Sequence, residues 1–163
     1  MFSVGIITAS DKGANGQRED ISGSVIKEKL ESKGYRIEKY VILPDDFHQL
    51  SHEMIYMADE LNLNLIVTTG GTGFSKRDIT PEATKSVIER DVPGIPEAIR
   101  SYSLTITKRA MLSRGIAGIR KETLIINLPG SPKAVEECLD YIIDTTEHGL
   151  EILLGRDSEC GRS

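Results

Sequence analysis

Tryptophan is absent from this chain, and aromatic residues make up only 5% of it. No platform therefore exists for stacking single-stranded nucleic acid. Basic residues are also in deficit: 20 Lys and Arg stand against 25 Asp and Glu, a formal net charge of −5, which argues against a nucleic-acid partner. The acidic excess is mild and spread along the chain, so it bears on solubility more than on partners. Cysteine is limited to Cys138, expected in the core from its helical pattern, and Cys160, in a polar tail. Two such residues make no disulfide framework, and a reducing cytoplasm fits them. No apolar run reaches the roughly 18 residues of a membrane helix. Met1-Phe2-Ser3 opens into an apolar strand pattern without the basic region of a signal peptide. The expectation is a cytoplasmic protein with no membrane contact. Nucleophilic acyl transfer is disfavoured, because no Ser-His-Asp or Cys-His constellation is visible. His48 and His52 stand four apart but have no third ligand and no His-Glu-x-x-His order, which disfavours zinc.

What is present is enough for one domain: 163 residues, 39% hydrophobic and 28% charged. Phe2 to Ala9 reads as a buried first strand. Ile21 to Lys33 has helical apolar spacing (Ile21, Val25, Ile26, Leu30) and ends at Gly34. Tyr35 to Leu43 is a second strand closed by Pro44. Asp45 and Asp46 stand where the cap of a helix reaching about Leu61 belongs. Leu63 to Thr69 is a third strand, and a helix over Thr80 to Arg90 follows. Pro93-Gly94-Ile95-Pro96 breaks that helix and starts another over Glu97 to Leu104. Arg114 to Gly118 is interrupted by glycine, Thr123 to Leu128 is a strand, and Pro132 to His148 is the last helix. Strands alternating with helices predict an α/β fold: a single three-layer domain, a mostly parallel sheet with helices on both faces. The domain is expected over residues 1–154, with a flexible C-terminal tail over 155–163.

Ligands of such sheets sit outside the carboxyl ends of the strands. Four loops belong there: Ser10-Asp11, Pro44-Asp45, Gly70 to Asp78, and Asn127 to Ser131. The third carries Thr68-Thr69-Gly70-Gly71-Thr72-Gly73 and then Arg77-Asp78-Ile79-Thr80-Pro81-Glu82. Glycines there let the backbone approach a ligand and adopt positive φ. Their N–H groups and the next helix N-terminus can hold phosphate oxygens. The loop is neither a Walker A motif nor a Gly-x-Gly-x-x-Gly fingerprint. Asp78 beside a phosphate makes sense if a divalent cation lies between them. Thr80 reads as an N-cap with Pro81 at the first helical position. Lys76, Arg77, Arg114 and Lys133 could attract an anion.

With these motifs, and with Leu43-Pro44-Asp45, Pro93-Gly94-Ile95-Pro96-Glu97, Ala110-Met111-Leu112-Ser113-Arg114 and Leu124-Ile125-Ile126-Asn127-Leu128-Pro129-Gly130, the chain resembles the molybdenum-cofactor biosynthesis family that binds molybdopterin. The resemblance runs from about Phe2 to Leu154. Within the family it favours the stand-alone adenylyltransferase branch, through Ser113-Arg114 and the Pro-Gly-Ser-Pro-Lys turn. A similar sister group has a less uniform role. The resemblance implies Mg²⁺-dependent transfer of AMP from ATP to the phosphate of molybdopterin, with release of pyrophosphate. It also implies a homotrimer and a downstream protein that receives the product and inserts molybdate.

By the same resemblance, Asp45 and Asp78 are the catalytic carboxylates and the ligands of Mg²⁺, where they would neutralise phosphate charge during displacement. Gly70, Gly71, Thr72 and Gly73 would cradle phosphate. Ser113 and Asn127 would contact molybdopterin or nucleotide, Gly130 and Ser131 would border a phosphate or ribose, and Ser10 and Asp11 lie at the same edge. Two other readings remain: a non-catalytic molybdopterin-binding carrier or scaffold, and an unrelated nucleotide-binding regulatory domain on the same architecture.

Overall fold

The computed structural model describes residues 1–156. The expected tail from 157 onward, with Cys160, lies outside the described residues. Six strands form one sheet, β1 (Ser3–Ala9), β2 (Arg36–Leu43), β3 (Leu65–Thr69), β4 (Arg90–Asp91), β5 (Ala117–Arg120) and β6 (Thr123–Leu128), in the order β2-β1-β3-β6-β5-β4. The first four strands in that order are parallel. β5 and β4 run antiparallel at one edge, the strands that composition did not resolve. The expected Thr80–Arg90 helix ends at Val87, and Arg90 and Asp91 pair with β5 instead.

The central strands are apolar almost throughout because both of their faces are covered. Alternate residues serve opposite layers. Ile6, Val67 and Ile126 pack with Ile26 and Leu30 of α2 (Ile21–Ser32), Ile99 of α5 (Gly94–Leu104) and Val135 and Leu139 of α6 (Pro132–Leu153). Ile7, Ile66 and Ile125 pack on the other face with Leu50 and Met54 of α3 (Phe47–Ile55) and Ala83 and Val87 of α4 (Thr80–Val87). A four-residue helix, α1 (Asp11–Ala14), follows β1 directly. Cys138 is buried, as its pattern predicted.

Helix ends follow local chemistry. At the end of α2, Gly34 at φ +87 gives its N–H to the Glu31 carbonyl (3.0 Å), and Tyr35 gives its own to Leu30 (3.0 Å). This pair of bonds is the Schellman arrangement. The same arrangement ends α6: Gly155 (φ +70) bonds to Ile152 and Arg156 to Glu151. The last helix therefore runs past His148 to Leu153, and its closing bonds involve Gly155 and Arg156. The helix expected to reach Leu61 widens into a π turn over Tyr56–Glu60.

Gly34 and Gly70 both have positive φ, but a Cβ on Gly34 would meet nothing within 4 Å, whereas one on Gly70 would lie 2.4 Å from the Ala9 carbonyl oxygen. Gly34→Ala is expected to cost about 1 kcal/mol from backbone conformation alone. Gly70→Ala is expected to cost on the order of 3 kcal/mol or more, since strain and a backbone clash combine. Urea unfolding of the two variants measures the difference, and equal midpoints would show that the close approach at Gly70 is readily relieved.

Candidate functional site

The parallel strands bring their carboxyl ends to one edge, and a cavity of about 660 Å³ opens there. Thr8 and Ser10 line it from the end of β1, Asp45 from the β2 loop, Gly70, Gly71 and Asp78 from the β3 loop, and Gly130 and Ser131 from the β6 loop. Asp20 and Ser22, at the start of α2, close the remaining side, with Arg18 beside them.

Adjacent Asp45 and Asp46 divide the work of their loop. Asp46 caps α3, accepting from Gln49 N at 2.9 Å. The cap that the sequence allows for either residue thus falls to Asp46, which leaves Asp45 for the cavity. Asp45 Oδ2 accepts from Asp11 N (3.2 Å), and Asp11 Oδ1 accepts in return from Asp45 N (3.0 Å), tying two strand-end loops together. Asp45 Oδ1 is buried and has no hydrogen-bond partner. Burial pushes the Asp45 carboxyl above its usual range, and the charges of Asp11 and Asp78 add to that shift. Asp78 Oδ2 accepts from Ser75 N (3.0 Å) and stands 3.0 Å from where a Cβ on Gly73 would be.

Asp11 has a different task. Arg77 grips it with Nε and Nη2, both at 3.0 Å, and this guanidinium, with the Asp45 N–H, holds the Asp11 carboxyl below its usual range. Its carboxylate is thus engaged by protein, and Arg77 is paired rather than free for an anion. Ser10 caps α1 through Gly13 N (2.9 Å) while still lining the cavity.

Gly70 (φ +89) and Gly71 (φ +69) are consecutive left-handed residues at the cavity wall. Thr72 and Gly73 turn the other way. With Ile99, Arg100, Leu112, Ser113 and Pro129 they line a second cavity of about 260 Å³. The glycine loop is the partition between the two spaces. Arg114 fixes that partition. Its N–H donates to Thr72 O (2.9 Å), Nε to Gly73 O (2.7 Å) and Nη2 to Asp78 O (3.0 Å), and Nη1 pairs with Glu82. Arg114 therefore holds the loop rather than luring an anion. Its partners Gly73 and Asp78 lie 41 and 36 residues away along the chain, so no local signal announces this role. Lys133 is exposed and faces Glu137 at 3.9 Å.

Two expectations change. Asn127 is buried and lines neither cavity. Its Nδ2 donates to Thr68 Oγ1 (3.0 Å) and Thr84 Oγ1 (2.9 Å), and its Oδ1 accepts from Ile116 N (3.1 Å). The amide is taken up in joining β3, α4 and the approach to β5, so it is not available to read a ligand here. Thr80 is not an N-cap: Ile79 holds that position without a side-chain bond, Thr80 is the first helical residue, and its hydroxyl is buried without a partner. Pro81 is accordingly the second helical residue, one position later than expected. Ser113 Oγ accepts from Gly115 N (3.3 Å) at the second cavity.

Sequence reasoning missed the wall built by α2. Asp20 caps that helix through Gly23 N (3.0 Å) and also accepts from Thr8 Oγ1 (2.6 Å) and from the Tyr40 hydroxyl. Burial, with Asp20 beside it, pushes the Tyr40 hydroxyl up to about 12. Ser22 Oγ donates to Gly130 O (2.7 Å), and Ser131 caps α6 through Ala134 N (3.2 Å). The amino ends of α2 and α6 thus border one cavity, where helix dipoles favour anions. Asp20 immediately before an apolar-periodic run was the available signal. Among the described residues no group of three or more His, Cys, Asp or Glu is clustered as a metal cage.

These features define an α/β domain with a polar cavity at the carboxyl ends of its parallel strands, the edge where such sheets bind ligands. Residues 5–148 match a family described as "Probable molybdopterin binding domain", and the chain belongs to that molybdopterin-binding family. It is 42% identical over 161 residues to a Helicobacter pylori protein named molybdopterin adenylyltransferase, covering 93% of this chain and 88% of the relative. The Escherichia coli K12 protein of the same name is 37% identical over 144 residues, covering 86% and 73%. The crystal structure of the molybdopterin biosynthesis enzyme MoaB of Thermus thermophilus superposes with a TM-score of 0.90 at 43% identity, covering 95% of this chain and 98% of that one.

The raised carboxyl of Asp45 fixes a sign. A folded-state value above the ordinary 3.8 favours the fold below that pH, and the contribution is lost as pH rises through the raised value. Above it, the wild type carries a buried charge that Asp45→Asn lacks. In metal-free buffer the melting temperature of Asp45→Asn is expected to exceed that of wild type at pH 7, with the gap shrinking towards pH 4. A gap that is constant with pH would contradict the assignment.

Proposed function

We propose that this protein transfers AMP from ATP to the phosphate of molybdopterin, releasing pyrophosphate, as a step of molybdenum cofactor biosynthesis. The observation that carries this reading is the pair of carboxylates, Asp45 and Asp78, from separate loops beside one glycine cradle, in a chain 42% identical to a molybdopterin adenylyltransferase. A carrier has no need of two acidic groups where phosphates bind.

An oxygen of the molybdopterin phosphate attacks the α-phosphorus of ATP; the new P–O bond forms as the α–β bridging bond breaks, and the electron pair leaves on pyrophosphate. The attacking oxygen is already ionised at neutral pH, so the protein's contribution is positioning and charge stabilisation. The backbone N–H groups of Gly70 and Gly71 and the amino ends of α2 and α6 receive the polyphosphate in the larger cavity. The smaller cavity, at Thr72, Gly73 and Ser113, receives the pterin. The loop between them brings the two phosphates together.

Like charges on Asp45 and Asp78, with Asp45 Oδ1 buried and unpartnered, suit a divalent cation, and oxygen donors of this kind suit Mg²⁺. Asp45 and Asp78 would hold it, and when bound it supplies charge neutralisation at the phosphates. The same reading places the protein in the cytoplasm as a homotrimer that passes its product to a molybdate-inserting partner.

The test is pyrophosphate release with molybdopterin, ATP and Mg²⁺. Wild type is expected to release pyrophosphate only when molybdopterin is present, and chelation of the metal is expected to abolish it. Asp45→Asn and Asp78→Asn are expected to lose at least about 100-fold in kcat while still binding molybdopterin. A folded wild type that binds molybdopterin but releases no pyrophosphate would establish a carrier or scaffold instead.

A further inference from the structure

Thr80 is completely buried, yet its hydroxyl has no partner. A buried hydroxyl without a hydrogen bond is uncommon and unfavourable, so its neighbourhood is informative. Both backbone groups of Thr80 are anchored: its N–H donates to Gly71 O at 3.1 Å, and its carbonyl accepts from Thr84 Oγ1 at 2.8 Å. Thr84 Oγ1 is held in turn by Asn127 Nδ2. The residue is fixed firmly while its side-chain oxygen is left over.

A second leftover oxygen lies beside it. The point that a Cβ on Gly71 would occupy is 2.3 Å from Thr80 Oγ1 and 3.0 Å from Asp45 Oδ1. Both oxygens are buried and both lack partners. One can donate and the other can only accept, and the missing side chain of Gly71 keeps the space between them open.

We propose that Thr80 is a positioning residue for the reaction: when nucleotide binds, its otherwise unpartnered hydroxyl turns to donate to Asp45 Oδ1 across the gap at Gly71 and fixes the carboxylate that faces the nucleotide site. Asp45 is otherwise restrained only by the Asp11 N–H on its other oxygen. A carboxylate held on one side can swing, and small displacements of a charge-stabilising group are costly in rate. Gly71 has a second duty beside its left-handed φ, since any side chain there would fill the gap. This inference rests on the adenylyl-transfer reading of the same cavity.

Thr80→Val keeps the shape and removes the hydroxyl, and Thr80→Ser keeps the hydroxyl. Thr80→Val is expected to melt at or above the wild-type temperature, because it deletes an unpartnered polar group. Its kcat for pyrophosphate release is expected to fall at least about 10-fold with the KM for molybdopterin unchanged, and Thr80→Ser is expected to recover to within about 3-fold of wild type. As a readout independent of turnover, the rise in melting temperature given by saturating ATP with Mg²⁺ is expected to be smaller for Thr80→Val than for wild type. Wild-type kcat in Thr80→Val overturns the proposal, as does a melting temperature far below wild type, which would make the hydroxyl structural. If wild type itself releases no pyrophosphate, the adenylyl-transfer reading fails separately. The nucleotide-induced shift then decides the role of Thr80: an equal shift in both proteins overturns it, and a smaller one in Thr80→Val supports it.

Discussion

Three strand ends meet at Gly70, and the site depends on how closely their backbones pack. The space where its side chain would be is taken by the Ala9 carbonyl at the end of β1, and the Cβ position of Gly130, after β6, lies 3.4 Å from the Gly70 Cα. Thr69 Oγ1 donates to Pro129 O at 2.7 Å and locks the β3 and β6 ends together. With no Cβ at Gly70 the chain can turn sharply after β3. That turn separates two cavities at the strand ends and places Gly70 and Gly71 in the wall of the larger one. Arg114 then secures the far side of the turn with three backbone acceptors and Glu82.

Around that turn, four of the carboxylates near the site are already committed. Asp46 caps α3, Asp20 caps α2, Asp11 holds Arg77, and Glu82 holds Arg114. Asp45 stands apart because its neighbours satisfy the structural needs, leaving one oxygen buried, bare and hard to ionise. Such a group is unfavourable in the empty protein and becomes favourable when an electropositive ligand arrives. This is the usual relation between stability and function at an active site.

The fold was legible wherever the pattern was local. Apolar runs at Ile6–Ile7, Ile66–Val67 and Ile125–Ile126 gave the buried parallel strands, and Gly34 gave a helix end. The motif run Gly70 to Asp78 pointed to the strand-end edge where the cavity opens. What escaped were features decided by distant partners. The two residues of β4 form a strand only because β5 is there to pair with them. The hydroxyl of Thr80 looks like a cap until the packing of α4 against Gly71 turns it inward. Asn127 at a strand end looks like a ligand contact until Thr68, Thr84 and Ile116 claim its amide. Arg114 looks like one more surface cation until it is found reaching carbonyls far along the chain.

The most direct test of the account is where a divalent cation binds when nucleotide is present. Mn²⁺ in place of Mg²⁺, with ATP, can be located by its anomalous scattering in crystals. The account predicts one Mn²⁺ in the larger cavity, in contact with the Asp45 and Asp78 carboxylates, with the ATP phosphates against Gly70 and Gly71. Nucleotide bound away from those glycines, or a cation in contact with neither carboxylate, would contradict it.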